Sequence, residues 1–478
     1  MAAVPAGAGP GAKASNDGLR TLKGGEELRR AKAALQTGAL SHAQYSSSST
    51  TQLEGLQSSL ERPNHAPLIP LPEGADINLK ELAAAAQRYS QLAAEAPEDY
   101  DSVYNHGLAL QELAARLGSA QAEQLQLLQQ AGKCYEAAVQ LRPTSHAALY
   151  NWGVALSDMA RVQRSSDPAA AIDHLISAAD KYSASLQWHA HHPQALNNWG
   201  LVLQELASER PPAERRRLTR HSVAKFRRAM RQRPEFDRAC YNLGTVFYAH
   251  ACQLQHSAQQ HLSSQLTQDA EAHAQEKAQE ALIRSTFALA AQYIVLAHVL
   301  QPGREVYQRS LGVVQPLLPL PYLRTGWLQA LAPAAGPFQE RWQRYFFVLD
   351  QDSLRTVDPE ESVQPPPGRS RPEQQASSSP TADGDAEAVH RFLLSEIVSA
   401  RTCSDASLPQ GHALWLGLRS HPEGSFLVSE SSADAEGWSD ALALLAHLAA
   451  SGQLQPMVQA LRPQSKRPTK AAVSGTVS

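Results

Sequence analysis

Between about residue 79 and residue 315 the apolar positions of the chain keep helical spacing, recurring so as to line one face of successive α-helices. After Pro316 that spacing gives way to short apolar runs rich in aromatics, beginning with Thr325, Gly326, Trp327 and Leu328 and continuing in Arg341 to Leu349 (RWQRYFFVL), the pattern of strands. Further strands are expected at His390 to Val398, His412 to Arg419 and Ser425 to Ser429. A closing helix is expected from Ser432 to Ala450, with Trp438 among Leu442, Leu445 and Leu448. The pattern therefore divides the chain into a helical region over 79–315 and a small β domain over 320–450. A Pro-, Ser-, Asp- and Gln-rich insertion at 359–388 is expected to be disordered, as are an N-terminal region over 1–78 and a tail over 451–478.

Within the helical region one string returns at a nearly fixed interval. Tyr104-Asn105-His106-Gly107, Tyr150-Asn151-Trp152-Gly153, Asn197-Asn198-Trp199-Gly200 and Tyr241-Asn242-Leu243-Gly244 place their glycines 46, 47 and 44 residues apart. An aromatic residue stands 16 positions before each asparagine, at Tyr89, Tyr135, Tyr182 and Phe226. Pro97, Pro143 and Pro234 follow three of these aromatics by eight residues, and Pro193 follows the third aromatic by three more. Proline cannot continue a helix, so each marks the end of a second helix. The glycine lets two helices approach, and the aromatic and small residues of the second helix fill the groove between them.

The order Leu149, Asn151, Gly153, Leu156, with Ala131, Tyr135 and Ala138 ending at Pro143, resembles the tetratricopeptide repeat. The interval exceeds the usual 34 or so residues, which implies longer hairpins or longer connections. The β runs closed by a tryptophan-bearing helix, with GWL followed by RYFFVL, resemble a pleckstrin-homology domain, a small β-barrel or sandwich. The strings NNWGLVLQEL, YNLGTVFYAH and LPLPYLRTGWL are similar to plant trafficking proteins of the hypersensitive-to-latrunculin-B type, over roughly 100 to 330. That resemblance implies a cytoplasmic protein, peripheral at the trans-Golgi network and early endosome, linking vesicle traffic to actin through protein partners.

Composition changes this picture little. The chain has 478 residues, a net charge of -3, and four scattered cysteines without a CxxC pair, which argues against a zinc site or a disulfide framework. The apolar stretch Thr286 to Leu300 is expected to be too short and too polar to span a bilayer. The first twenty residues lack the apolar run of a secretory signal, leaving a disordered tail or an organellar transit peptide. No GxSxG, HExxH, P-loop or Rossmann string is present, so a non-enzymatic chain without cofactor is expected.

Three sets of residues are candidates for contact. Asn105, Asn151, Asn198 and Asn242 recur at one repeat position, where stacked amides either grip an extended peptide or bond to neighbouring helices and hold the repeats together. The segment Glu209 to Arg238 carries eleven Lys or Arg against four Asp or Glu. On a helical wheel Arg216, Arg217, Arg220, Arg227, Arg228 and Arg231 share an arc of about 120°, opposite Leu218, Val223, Phe226, Ala229 and Met230. Such a face either binds an acidic protein segment or an anionic membrane, or is simply solvated.

The third set belongs to the β domain. Where phosphoinositide-binding pleckstrin-homology domains carry basic residues, this chain has Gln329, Gln343 and Tyr345, with only Arg341 and Arg344 nearby. From 321 to 450 there are nine Arg, no Lys and seventeen acidic residues, which opposes an anionic leaflet. His189, His191 and His192 lack acidic or cysteine partners at ligand spacing and are expected to be solvated loop residues rather than a metal site. The reading is a scaffold or adaptor that binds extended or acidic peptide segments, without nucleic acid. The alternatives are a co-chaperone that takes acidic tails and an organellar assembly factor.

Overall fold

The computed structural model describes residues 77–116, 121–264, 270–332, 342–359 and 389–462. Nearly all of the N-terminal region, all but the first residue of the 359–388 insertion, Arg341, and the tail beyond 462 lie outside them. The described residues form twelve α-helices and seven strands, and they fall into two compact units that part between Val246 and Phe247.

In the first unit the chain runs through α1 (Ile77–Glu95), α2 (Tyr100–Arg116), α3 (Gln121–Leu141), α4 (His146–Gln163), α5 (Pro168–Trp188), α6 (Pro193–Ser208) and α7 (Pro212–Gln232), and enters α8 (Asp237–Ser264). Short polar side chains and prolines set the starts. Asp99 Oδ2 accepts from Ser102 N, Ser145 Oγ from Ala148 N and Asp167 Oδ1 from Ala170 N, satisfying amides that the first turn leaves unpaired. Pro168, Pro193 and Pro212 occupy first-turn positions of α5, α6 and α7, where the missing N–H costs nothing. Pro193 therefore opens α6 instead of closing α5, which ends where His189 N bonds to Ser185 O. The connections from Gln163 to Pro168 and from Ser208 to Pro212 are short. The extra length of each repeat thus lies in the helices, which run to 21 residues in α3, α5 and α7.

The second unit holds the rest of α8, then α9 (Ala270–Leu300), α10 (Glu305–Val314) and a 3-10 turn at Gln315–Leu317. Seven strands follow: β1 (Arg324–Leu331), β2 (Trp342–Leu349), β3 (Ser353–Thr356), β4 (Arg391–Leu393), β5 (Ile397–Cys403), β6 (His412–Leu418) and β7 (Ser425–Ser429). Two helices, α11 (Ser432–Ala450) and α12 (Gln455–Ala460), end the described chain. All strand pairs are antiparallel, in the order β4-β3-β2-β1-β7-β6-β5. The expected barrel does not close. The terminal strands β4 and β5 remain edges, and β1 meets β7 only at Gln329 opposite Val428.

Seven strands replace the five expected. The run His390 to Val398 is broken by a turn at Leu394–Glu396, which separates β4 from β5. The strand β3 follows a tight turn in which Asp350 Oδ1 accepts from Asp352 N and Ser353 N. A second C-terminal helix also forms. Residues 451–462, expected to be part of a disordered tail, fold so that Met457, Ala460 and Leu461 are buried.

Helix α9 explains the most apolar stretch of the chain. By length and composition Ala274–Leu300 is apolar enough to cross a membrane, because the helix starts well before Thr286, but 72% of its apolar window is buried inside the protein. Phe247 stacks on Tyr293, Tyr248 meets Phe287 edge-on, and Tyr293 Oη donates to Asp440 Oδ2 of α11 at 2.6 Å. Gln292 Nε2 donates to Gly437 O while its Oε1 accepts from Arg324 Nη1, so one amide joins α9, β1 and α11. The Arg324 guanidinium also pairs with Asp434 and lies over the ring of buried Trp438. The sheet domain is thereby built onto α9, with α11 packed between them.

Candidate interaction surface

Three glycines of the recurring string, Gly107, Gly153 and Gly200, face the aromatic of their own hairpin. A Cβ on Gly107 would stand 2.9 Å from Tyr135 Cε1, one on Gly153 2.8 Å from Tyr182 Cε1, and one on Gly200 2.6 Å from Phe226 Cε1. The three rings are fully buried, so hydrogen at the glycine is what lets the two helices close over them. Tyr135 Oη also donates to Gln111 Oε1, and burial holds the Tyr135 and Tyr182 hydroxyls far above the usual phenol range.

The asparagines bind across the joints between repeats. Asn151 Nδ2 donates to Tyr104 Oη (2.8 Å), Asn198 Nδ2 to Tyr150 Oη (3.2 Å) and Asn242 Nδ2 to Asn197 Oδ1 (3.0 Å). The acceptor in each case is the residue just before the asparagine of the preceding repeat. Asn105 and Asn151 are half-buried, whereas Asn198 and Asn242 are fully buried and turned onto their neighbours. Of the two readings of the ladder, the geometry of these two matches the one that holds the repeats in register. Tyr104, Tyr150 and Asn197 were not singled out from sequence, although the recurring string contained the signal, since each immediately precedes its asparagine.

The residue after each asparagine has a partner as well. Lys181 Nζ lies 3.7 Å from the ring centroid of Trp152, and Lys225 Nζ lies 3.5 Å from that of Trp199. In the preceding repeat the same places hold His106 and Cys134, with Sγ 3.4 Å from Nδ1. This pair has the composition of a nucleophilic dyad, but burial pushes the Cys134 thiol up to about 11 and the His106 imidazole down, which keeps both neutral.

Helix α7 carries the arginine face. Arg216, Arg217, Arg220, Arg228 and Arg231 are exposed, while Ser222, Phe226, Ala229 and Met230 are buried on the other side. Arg227 departs from the expectation. It is 6% exposed, with half-buried Val223 four residues back and buried Met230 three ahead. Arg216, Arg217 and Arg220 make no hydrogen bond or ion pair with any described residue. The pairs 216/220, 217/220 and 228/231 are like charges one turn apart, each opposing the helix by about 0.2–0.5 kcal/mol. The other helix surfaces avoid that cost by pairing, as in Arg116 with Glu112 and Arg161 with Asp158.

The end of this face reaches a cluster of histidines. Arg228 Nη2 and Gln232 Nε2 both donate to Ala190 O, in the connection between α5 and α6. Flanking Ala190, His189 stacks on His146 at 4.6 Å and lies 5.8 Å from His192, whose ring meets Tyr150 edge-on at 4.6 Å. His146, His189 and His191 are exposed. His146, at the start of α4, was not singled out from sequence, being more than forty residues from the others. Among the described residues no group of His, Cys, Asp and Glu is arranged to hold a metal ion.

On the sheet, Gln329 lies in β1 and Gln343 and Tyr345 in β2, and the Tyr345 hydroxyl donates to Gln343 Oε1. Arg344 is engaged by Glu430 at 2.9 Å and lies over the Trp327 ring at 5.0 Å. Arg344 thus already has a carboxylate partner.

No protein-family model matches the chain, and no curated protein matches it. Among solved structures it is similar to a crystal structure of MamA (17% identity, TM-score 0.28, covering 37% of this chain and 85% of that one). It is also similar to YrrB, described as a TPR protein with an unusual peptide-binding site (13% identity, TM-score 0.18, 47% of this chain and 98% of that one). A third is a human IFIT1 dimer with PPP-AAAA (15% identity, TM-score 0.22, 63% of this chain and 76% of that one). Scores of this size add no argument to the hairpin geometry described above.

Proposed function

We propose that this chain is a non-enzymatic interaction scaffold of the tetratricopeptide kind, whose arginine face on α7 takes an acidic segment of a protein partner. The observation that carries this reading is the set of exposed, unpaired guanidiniums at Arg216, Arg217 and Arg220, held on a helix whose opposite face is buried. A helix that bears uncompensated like charges gains when an anion supplies the missing partners. The buried amides of Asn198 and Asn242 shift the weight of recognition from the ladder to this face.

The C-terminal sheet, a meander of seven antiparallel strands closed by a helix, supports a pleckstrin-homology-like reading that works by packing or protein contact. Its engaged Arg344 and its acidic composition weigh against lipid headgroups. The cellular setting we propose is an adaptor of vesicle traffic linked to actin, cytoplasmic and peripheral at the trans-Golgi network and early endosome. Its support is the resemblance of NNWGLVLQEL, YNLGTVFYAH and LPLPYLRTGWL. A co-chaperone would need its cations on first helices near the asparagines, whereas here they lie on α7, the second helix of its hairpin.

The test is to replace Arg216, Arg217, Arg220 and Arg231 with Gln in the full chain, which keeps helix propensity and leaves the buried face intact. Affinity capture and fluorescent tagging are then compared with the parent. Loss of captured partners and of endomembrane recruitment by a folded variant is the expected result. A folded variant that captures and localises as the parent does would show the face to be solvated only.

A further inference from the structure

Helix α11 covers one face of the seven-stranded sheet, where a Cβ on Gly326 would stand 3.4 Å from Trp438 Cζ2 and where Leu328, Phe347, Leu414 and Leu427 are buried. The other face should be polar, because an antiparallel sheet with one packed side turns its alternate residues to water. It is aromatic instead. The register sets Trp327 with Phe346, Leu331 with Trp342, and Trp415 with Phe426 as cross-strand pairs on this second face, and the pair Gln329–Val428 joins the two halves. Trp327 is 41% exposed and Leu331 39%, while the other four are half-buried. Two of the rings carry a guanidinium, Arg344 over Trp327 at 5.0 Å and Arg401 over Trp415 at 4.6 Å.

We propose that this aromatic face binds the proline-rich stretch of the chain's own insertion, Pro365, Pro366 and Pro367, which lies outside the described residues. Indole and phenyl rings take pyrrolidine rings flat against them, and a run of prolines reaches such a surface with its backbone already restricted, so little freedom is lost on binding. The path of the chain supplies the reach. Val357 N bonds to Phe346 O, so the chain leaving β3 runs beside β2 towards Trp342, the end of the face at which Leu331 also lies. Pro365 stands six residues beyond Pro359, a span of up to about 20 Å. A strand spacing of about 4.8 Å puts β1 about 10 Å and β7 about 14 Å from β3, both within that span. The chain returns at His390, whose carbonyl accepts from Thr356 N at the same end of the sheet. Arg369 and Arg371 follow the prolines, and the face is bordered by exposed Glu430 and by exposed Glu423, whose carbonyl accepts from Trp415 Nε1.

The same surroundings disfavour the other occupants of an aromatic sheet. A single-stranded nucleic acid stacks its bases on such rings but needs cations for its phosphates. Here Arg344 already pairs with Glu430, and residues 321–450 have no lysine and an excess of acid. That excess opposes an anionic leaflet too. Three prolines followed by two arginines bring no negative charge to the face and two positive charges to its rim.

The experiment uses the full chain and a fluorescent peptide of residues 361–372 (ESVQPPPGRSRP), with polarisation as the readout and circular dichroism confirming each fold. In the parent the tethered copy competes at an effective concentration on the order of 1 mM, so the peptide is expected to bind the variant Pro365→Ser, Pro366→Ser, Pro367→Ser about tenfold more tightly than the parent. A peptide carrying the same three serines is expected to bind that variant about tenfold more weakly than the proline peptide does. Adding Trp327→Ser to the variant is expected to abolish binding, and should that chain not fold, Leu331→Ser is read in its place. Equal binding by the parent and the serine variant overturns the proposal, since the face is then open to a proline-rich segment of another protein. Binding that survives the face substitutions, that ignores the prolines of the peptide, or that is absent throughout overturns it as well. A labelled twelve-nucleotide single strand is run in parallel, and its binding in place of the peptide would overturn the choice of occupant.

Discussion

Asn242 Nδ2 donates to Asn197 Oδ1 at 3.0 Å, at the joint position where the two preceding repeats use a tyrosine hydroxyl as acceptor. The same donor type is kept while the acceptor changes from phenol to amide, and Asn197 passes the bond on by donating to Asn198 Oδ1 at 3.4 Å. Two joints of the array are thus linked through adjacent residues of α6.

Asn198 uses both ends of its amide in full burial, so Asn198→Ala leaves Tyr150 Oη and Asn197 Nδ2 each short of a partner. The expected loss is about 1–3 kcal/mol in urea unfolding. Half-buried Asn151, whose place water can take, is expected to cost about 1 kcal/mol or less when changed to Ala. Equal losses at the two sites would contradict the role given to burial.

Gly200→Ala introduces a Cβ 2.6 Å from Phe226 Cε1, closer than carbon atoms approach. Overpacking of this kind costs about 1–3 kcal/mol. Combining it with Phe226→Leu is expected to cost less than the sum of the two single changes, because the space made by one receives the other. Strict additivity in a double-mutant cycle would mean that the two residues do not meet.

The sheet domain depends on α9 through Tyr293, Gln292 and Arg324. Tyr293→Phe removes the hydroxyl donor to Asp440 and is expected to lower stability by about 1.5–3 kcal/mol. A fragment covering 320–450 leaves Trp438 and α11 without their cover and is expected to lose a cooperative transition, whereas one beginning at 247 keeps it. Cooperative melting of the short fragment with the full unfolding enthalpy per residue would refute this.

Acid is expected to loosen the fold. Burial lowers His106, His146, His174, His192, His250, His298 and His390, in His192 to about 4. A histidine held below its unfolded value contributes stability that is complete above about pH 6.5 and falls away as pH drops toward the folded value, since the unfolded chain takes the proton first. His192 alone accounts for about 1 kcal/mol by pH 5.5. The melting temperature should therefore be lower at pH 5.5 than at pH 7.5, with a smaller difference in His192→Asn. A melting temperature that does not change over this range would rule the mechanism out.

The repeat pitch, the glycines and the recurring aromatics were legible in the sequence because they recur, but the 16-residue register tied Tyr135 to Asn151, whereas in the fold Tyr135 meets Gly107 of the helix before it and Gly153 meets Tyr182. Depth is what the sequence withheld. The helical wheel placed Arg227 on the arginine arc correctly by angle, yet its burial depends on how closely the neighbouring helices pack along α7. Strand β3 is four residues long and follows a turn specified by one aspartate, too little for an alternating pattern to register. His146 joins His189 only through the stacking of one hairpin on the next, a distance no local pattern encodes.

The bond between Tyr293 and Asp440 spans 147 residues of chain, and this has a consequence for biosynthesis. Gln292 and Tyr293, buried where α9 meets α11, leave the ribosome long before that helix exists. At translation rates of about 5–20 residues per second that interval is roughly 7–30 s. During it the α9 surface that later meets α11 is uncovered, which makes the nascent protein a client for chaperones and a point of entry for proteases until residues 432–450 have emerged.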